Sequence, residues 1–590
     1  MSNFKFQISN WNLAILTAII LLAAALRFYK LGINPPGLYW DEAVFGYDAY
    51  SILITGQDQH GVTLPLFFES FGDWKLPGYH YLLVPSIAIF GLNEFAVRFP
   101  SALLGTLTVL LTYLLVKELF RLSDENQSVN QSIGHTSGVN MVTTSRTPGV
   151  SKVTDKQKTG KPKSENRQQK TDNSSIEAIA LLSAFFLAIS PWHIQFSRGG
   201  FESTAGLFFV VSGTYLFLWG FGKKNTTLLT FAFILLTLSM YTYHAYRIFT
   251  PLLAISIIFI FYQESRKILT KLIIPAILSL ILLLPLIIFT VSPQGKARAV
   301  SQSVFSQETY ESTRIYYDQN SKPPLRFLAK YWSSSLYNSY LAFNNYLDHF
   351  SPTFLFYQGD QIGRHSQVDM GQIYLFDGIL LLASLFALKK LNKRFPKVIM
   401  LSWLILSPIP ATIVTPAPHA YRTLQMSVPL AFFSALGAYF IFSNKKFLVI
   451  KLVLSFIIFY TFVTYLHLLF VHYPKKFAAD WQDGYKEMVA QVQKYQDQFD
   501  KVYITNINQV PYIYVLFYEK YDPSKFLEKK GSKESFDKYV FISDDVNIYD
   551  KGNILYVAPS WKKVDGAWLA GANDSNGRHI YSLWGINAKN

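Results

Sequence analysis

Asp41 and Glu42 stand side by side between Tyr39-Trp40 and an apolar segment. Two adjacent carboxylates are costly there unless they serve a purpose. Asp48 follows, and Lys75 and His80 open a second apolar segment. Arg98, Arg198 with Glu202, His244 with Arg247, and His419 with Arg422 recur hundreds of residues apart, each beside a long hydrophobic run. Carboxylates and histidines move protons, and lysine and arginine hold anions. If the hydrophobic runs are membrane spans, all these residues share one depth, as an active site opening to the outer leaflet requires. Each also has a plainer reading. Arg98, Arg247 and Arg422 can snorkel to headgroups, Arg198 and Glu202 can pair across one helical turn, and His244 and His419 can be satisfied interfacial histidines.

The elements that must position these residues follow from composition. The 590 residues are 50% hydrophobic, 16% aromatic and only 16% charged, with a net charge of +16 and a mean hydropathy of +0.19. Soluble domains average about 25% charged residues, so a disordered chain and a purely cytosolic enzyme are excluded. The absence of cysteine removes disulfides, thiol nucleophiles, iron–sulfur clusters and Cys-ligated zinc. A span needs ~20 apolar residues, and such stretches occur at about 11–28, 96–120, 176–195, 203–221, 226–243, 248–263, 272–291, 371–388, 398–414, 424–443 and 447–470. The expected fold is therefore an α-helical polytopic membrane protein of eleven spans, with 77–92 as an interfacial helix or a twelfth span. Ala23-Ala24-Ala25 would suit a cleavage site, but ten further spans make the first an uncleaved anchor.

Basic residues concentrate in 121–175 and at Lys223-Lys224, Arg266-Lys267-Lys271, Lys389 to Lys397 and Lys445 to Lys451. By the positive-inside rule these loops are cytoplasmic, which puts the N-terminus inside and the C-terminal tail outside a plasma membrane. Much of the positive charge is thus a topology signal, and nucleic acid is not an expected partner. The chain divides into 1–120 with a catalytic outer loop 29–95, a disordered cytoplasmic linker 121–175, a bundle 176–471 with a large aromatic outer loop 292–370, and a tail 472–590. The loop holds Tyr316, Tyr317, Tyr331, Trp332, Tyr337 and Tyr340. In the tail, Tyr485, Met488, Val489, Val492 and Tyr495 recur at helical spacing, and strand-like runs follow at 501–505, 538–543, 553–558 and 579–584. This predicts a small α/β extracytoplasmic domain.

The run LYWDEAVFGYDAYSILITGQDQHG, then KLPGYHYLLVPSIAIFGLNEFAVRFPSALLGTLTVLLTYLLVKELF, resembles the GT-C membrane glycosyltransferases, within them the protein O-mannosyltransferase and aminoarabinose transferase (ArnT-like) superfamily. The shared features are the acidic pair Asp41-Glu42, Lys75 with Pro77, and Arg98-x-Pro100-Ser101-Ala102-x-x-Gly105; 351–382 resembles bacterial members with a large outer loop. The resemblance implies a sugar donor on a polyprenyl phosphate, with Asp41 at the catalytic centre as base, Glu42 and Glu202 as further carboxylates, and inversion by direct displacement. It implies a phosphate clamp from Lys75, Arg247 and Arg422, with His80, Arg98, Arg198 and His244 around the donor and His365 beside Arg364 covering the site. The acceptor, a protein, lipid or glycan, stays open. No cofactor is expected. A metal ligand used by some relatives is a glutamate just before the lysine, and Trp74 stands there, so no metal is expected, although a divalent ion is not excluded. Lys322-Pro323-Pro324-Leu325 reads as a chance repeat of Lys-Pro-Pro letters. Two rivals remain: an oligosaccharyltransferase-like enzyme, to whose WWDYG signature Trp481-Gln482-Asp483-Gly484-Tyr485 invites comparison, and a polyprenyl-linked sugar flippase. No Asp-x-Asp and no phosphate-binding GxxxxGK[ST] loop occurs.

Overall fold

The structure is a computed structural model. It describes residues 9–137, 163–262, 269–296, 303–304, 338–506, 510–543 and 552–588. Every one of the eleven hydrophobic stretches is helical: α1 (Asn10–Phe28), α4 (Glu94–Ser137), α5 (Lys163–Ile189) with α6 (Pro191–Arg198), α7 (Glu202–Lys223), α8 (Thr226–Met240), α9 (Tyr246–Ile260), α10 (Leu269–Val291), α11 (Leu375–Lys390), α12 (Arg394–Leu406), α13 (Ser427–Ser443) and α14 (Leu448–His467). Seven helices are long and apolar enough to cross a membrane, eight if the bent pair α5–α6 is one span. Helices α8, α9 and α11 have 15, 15 and 16 residues. At about 1.5 Å per residue they reach roughly 23 Å, short of a ~30 Å hydrocarbon core. The chain is a multi-pass helical membrane protein with a C-terminal sheet domain.

Two parts of the sequence reading shift. The segment 121–175 is not uniformly without structure, because α4 runs on through Ser137 and α5 begins at Lys163, leaving only 138–162 outside the described residues. Tyr316, Tyr317, Tyr331, Trp332, Tyr337 and the Lys322 to Leu325 run also lie outside them. The first loop, in turn, carries more than an interfacial helix. Helix α2 (Trp40–Thr55) begins at the acidic pair and ends at Gly56, whose φ of 74° closes it with a left-handed cap. A hairpin of β1 (Phe68–Ser70) and β2 (Asp73–Lys75) leads into α3 (Pro77–Phe90), where Pro77 takes the first-turn position that needs no N–H.

In the tail, α15 (Tyr485–Tyr495) buries Tyr485, Met488, Val489 and Val492, the face that its spacing predicts. The sheet has order β4-β5-β3-β6-β8-β7, from β3 (Lys501–Thr505), β4 (Ser535–Phe536), β5 (Tyr539–Ile542), β6 (Gly552–Pro559), β7 (Ala567–Asn573) and β8 (His579–Ala588). β3 runs parallel to both β5 and β6, and β8 is antiparallel to β6 and β7. The helix α16 (Pro511–Tyr518) crosses between β3 and β5 and packs on the first loop. Ala43, Val44, Phe45 and Tyr47 of α2, Tyr79 of α3 and Val97 of α4 share one apolar core with Val489, Ile513, Val515 and Phe517. The tail is therefore continuous with the first loop's core.

The Arg98 to Gly105 motif sits where α4 meets α6. A Cβ on Gly105 would stand 2.2 Å from Ser197 Oγ and 2.7 Å from Ser197 Cβ, so only glycine lets these helices approach. Gly105→Ala is expected to destabilise the chain by about 1–3 kcal/mol through overpacking, and Ser197→Gly in the same chain to restore most of the loss. Thermal unfolding of the three proteins in detergent checks this.

Candidate functional site

The two carboxylates of the doublet have opposite fates. Glu42 Oε1 accepts from Arg98 Nε at 2.9 Å and from the Gly200 amide at 2.7 Å, while Oε2 accepts from Arg98 Nη2 and the Tyr39 amide, both at 3.1 Å. A carboxylate has about four acceptor positions, so Glu42 is filled. Arg98 is filled too: its remaining donors reach the carbonyls of Leu31 at 3.2 Å, Pro35 at 2.8 Å and Gly37 at 2.6 Å. Its guanidinium also lies 5.4 Å from the centre of the Trp481 ring. Both residues are buried. This corrects the reading of Glu42 as catalytic and Arg98 as donor-binding, because neither has a polar position left for a substrate. They fold the first loop onto α4 and onto the turn before α7.

Asp41, one residue earlier in the same first turn, points elsewhere. Its Oδ1 is 3.2 Å from Lys75 Nζ, and Asp73 Oδ2 lies 3.6 Å from the same ammonium. The lysine side chain is 9% exposed and the Asp41 side chain 27%, so the pair is open from the carboxylate's side. Asp41 also lies at a helix N-terminus, where unpaired amides and the dipole favour an anion. The start of α2 is held from the tail: the Trp40 amide donates to Gln482 Oε1 at 2.9 Å, and the Tyr514 hydroxyl donates to the same oxygen at 2.5 Å. The Trp481 to Tyr485 segment, compared above with an oligosaccharyltransferase signature, thus serves as a brace: Trp481 lies under Arg98 and Gln482 holds α2.

Two more donor-site candidates, Arg198 and His80, are structural. Arg198 donates to the carbonyls of Leu26 at 2.7 Å, Tyr29 at 2.9 Å and Asn34 at 2.7 Å, closing the end of α1. His80 is fully buried, stacked on Phe68 at 3.8 Å, with Nδ1 3.2 Å from the Leu76 carbonyl and Nε2 3.6 Å from Asp48 Oδ2. Both corrections have one cause: side chains surrounded by protein cannot line a donor groove. Asp48 itself accepts the Gln59 amide at 3.1 Å. His244 is half-buried in the turn before α9.

Arg247 stands in the first turn of α9. It donates to Thr290 Oγ1 at 3.3 Å and lies 5.7 Å from the Phe289 ring, whose face stacks on Phe67 and whose edge meets Trp74, the residue before Lys75. Trp74 here packs against Phe289. Glu202 opens α7 and accepts from the Tyr421 hydroxyl. The Tyr421 ring stacks on Phe196 and contacts Phe201, Tyr243 and His365. Arg422 donates to the Thr415 carbonyl at 3.4 Å on the half-buried rim. Arg364 lies over the Tyr39 ring at 3.4 Å and donates to the Asp480 carbonyl at 3.0 Å, so the 353–370 loop does cover the doublet's flank.

His365 itself turns away, into a buried cluster with Asp360 and His419. Burial lowers the affinity of both histidines for a second proton, His419 the more so with Arg422 beside it. Burial opposes ionisation of Asp360, but His365, His419 and the Ile362 amide hold its carboxyl well below the usual range. Sequence reasoning missed Asp360 and Tyr421, and met Gln482 only inside the segment compared with an oligosaccharyltransferase signature. Tyr421 had a signal, its place between His419 and Arg422. A cavity of about 360 Å³ lined by Phe120, Ser175, Lys390 and Tyr439 lies at the opposite end of α4 from this site.

Residues 17–122 match the family model described as dolichyl-phosphate-mannose-protein mannosyltransferase. That stretch contains both Asp41 and Lys75. No curated protein sequence matches the chain. Among solved structures, apo ArnT from Cupriavidus metallidurans aligns with TM-score 0.51 and 10% identity over 97% of each chain, and the same protein bound to undecaprenyl phosphate with TM-score 0.49 and 10% identity over 98% of each. The oligosaccharyltransferase of Archaeoglobus fulgidus aligns with TM-score 0.46 and 14% identity over 87% of this chain, which spans 64% of that protein's length.

The division of roles gives a stability test. Glu42→Gln leaves the buried Arg98 charge unbalanced and is expected to cost about 3–5 kcal/mol, whereas Asp41→Asn at the half-open pair should stay within about 1 kcal/mol of wild type. Thermal unfolding of the purified variants checks both. With its helical bundle, its acidic first loop and the ArnT-like course of its whole chain, this protein has the fold of the GT-C membrane glycosyltransferases.

Proposed function

We propose that the chain moves a monosaccharide from a polyprenyl-phosphate carrier to an acceptor hydroxyl at the outer face of the membrane, inverting the anomeric centre. The observation that carries this reading is the Asp41–Lys75 pair: one accessible carboxylate beside one buried ammonium, at a helix N-terminus, in a doublet whose second carboxylate is fully engaged. The family match over the same residues supports the lipid-phosphate donor, since the family is described by a dolichyl-phosphate-linked sugar.

In this mechanism the carrier's phosphate takes Lys75, which Asp41 and Asp73 hold beforehand, and Arg247 adds a second cation from α9. Drawing Lys75 toward the phosphate leaves Asp41 free to accept a proton. The acceptor oxygen forms a bond to the anomeric carbon as the carbon–oxygen bond to phosphate breaks, the acceptor proton passes to Asp41, and polyprenyl phosphate leaves on Lys75 and Arg247. Glu202, held by Tyr421, and Arg422 form the far rim and orient the acceptor or sugar.

Asp41→Asn is expected to lower turnover by about 10²–10⁴-fold with unchanged folding, and Lys75→Met to raise KM for the lipid donor more than it lowers kcat. Release of free polyprenyl phosphate and loss of the hexosyl lipid, followed together with cell-envelope extract as acceptor, measures both. Wild-type turnover in a folded Asp41→Asn would refute the assignment of the base.

A further inference from the structure

Asp360, His365 and His419 come from two segments far apart in the chain and meet in the protein interior, each about 5% exposed or less. His365 Nδ1 is 3.4 Å and His419 Nδ1 3.7 Å from the same oxygen, Asp360 Oδ2. Neither nitrogen has a hydrogen-bond partner. The three ligand atoms lie within 4.8 Å of one another. Two ligand atoms about 2.1 Å from a tetrahedral ion stand roughly 3.4 Å apart, so the spacing matches a metal's shell better than that of a hydrogen-bonded triad.

The surroundings aim the carboxylate and hold the backbone of both histidines. Asp360 Oδ1 accepts the Ile362 amide at 2.9 Å and Oδ2 the Ala420 amide at 2.6 Å, which aims the carboxylate. Gln372 donates to the His365 carbonyl at 3.1 Å, and Thr423 to the His419 carbonyl at 2.8 Å. His349 donates through Nδ1 to the Asn345 carbonyl at 2.6 Å and accepts the His419 amide on Nε2 at 3.0 Å, so its ring positions the His419 backbone. Among the described residues no lysine or arginine pairs with Asp360, and a buried carboxylate calls for a compensating charge.

We infer that Asp360, His365 and His419 bind one divalent transition-metal ion, zinc by preference for two imidazoles and a carboxylate. Soft thiolate ligands are absent, and calcium or magnesium would demand more oxygen. The ion ties the 360–365 turn to the 415–422 segment, behind the ring of Tyr421 that holds Glu202. Its place is structural: it fixes the rim of the site and touches neither Asp41 nor Lys75. This revises the expectation of no metal, which considered only position 74.

Metal analysis of the full-length chain in detergent tests the inference apart from any transferase assay. Wild type and Asp41→Asn are expected to carry one zinc per chain, and the chelator-treated proteins to take up one Co²⁺ with a visible d–d band that zinc displaces. Asp360→Asn, His365→Ala and His419→Ala should each lose that uptake, and chelation should lower the unfolding temperature of wild type but not of Asp360→Asn. Less than roughly a tenth of an equivalent of either metal in folded wild type, or full uptake by the ligand variants, would overturn it. Should the variants fail to fold, the wild-type stoichiometry and Co²⁺ spectrum decide alone.

Discussion

The Glu42–Arg98 pair is the interaction on which the site's geometry rests. Burying an ion pair is favourable only when every remaining donor and acceptor is also satisfied, and here all are: the carboxylate by four N–H groups, the guanidinium by the carboxylate and three carbonyls. Those carbonyls belong to Leu31, Pro35 and Gly37, so one arginine folds the chain between α1 and α2 around itself. Gly37, with φ of 61°, could not carry a side chain there, because a Cβ would stand 2.7 Å from the Trp481 carbonyl oxygen. Glu42 in turn draws in the Gly200 amide, two residues before Glu202. A single buried pair therefore sets the start of α2, the outgoing end of α1 and the turn that presents Glu202.

Asp41 inherits its role from this arrangement. Successive residues in the first turn of a helix point about 100° apart, so when Glu42 faces inward to Arg98, Asp41 is turned toward β2 and Lys75. Neighbouring carboxylates become a scaffold and a candidate base because the helix allows only one of them to face the core. Arg198 works like Arg98, with its guanidinium spent on the end of α1. Both arginines show how a membrane protein uses charge to satisfy backbone carbonyls that lipid cannot.

The tail is part of this machinery. Its helix α16 supplies apolar side chains to the core under α2, and Gln482 accepts the first amide of α2. A Cβ on Gly46 of α2 would stand 2.6 Å from the Phe517 ring, so the two elements pack at van der Waals contact. On the other flank, Arg364 presses on Tyr39 from the covering loop, and the Asp360, His365 and His419 cluster anchors that loop's inner end. The acidic loop is gripped from both sides by segments that the sequence places hundreds of residues away.

Much of this was legible in the residues alone. Apolar runs near the span length fixed the helical class and all eleven helices, because burying a helix in lipid demands a continuous apolar surface. The face of α15 and four of the tail's strands followed from their patterns, and the acidic doublet and Lys75 stood out as charge beside lipid that needs a reason; Asp41 and Lys75 do meet in the fold. Which carboxylate stays accessible could not be read from composition or spacing. Neither could the structural use of Arg98, Arg198 and His80, nor the meeting of Asp360 with His365 and His419. Composition says that a buried charge needs a partner, but only the tertiary fold says whether that partner is protein already in place or a site left for something else.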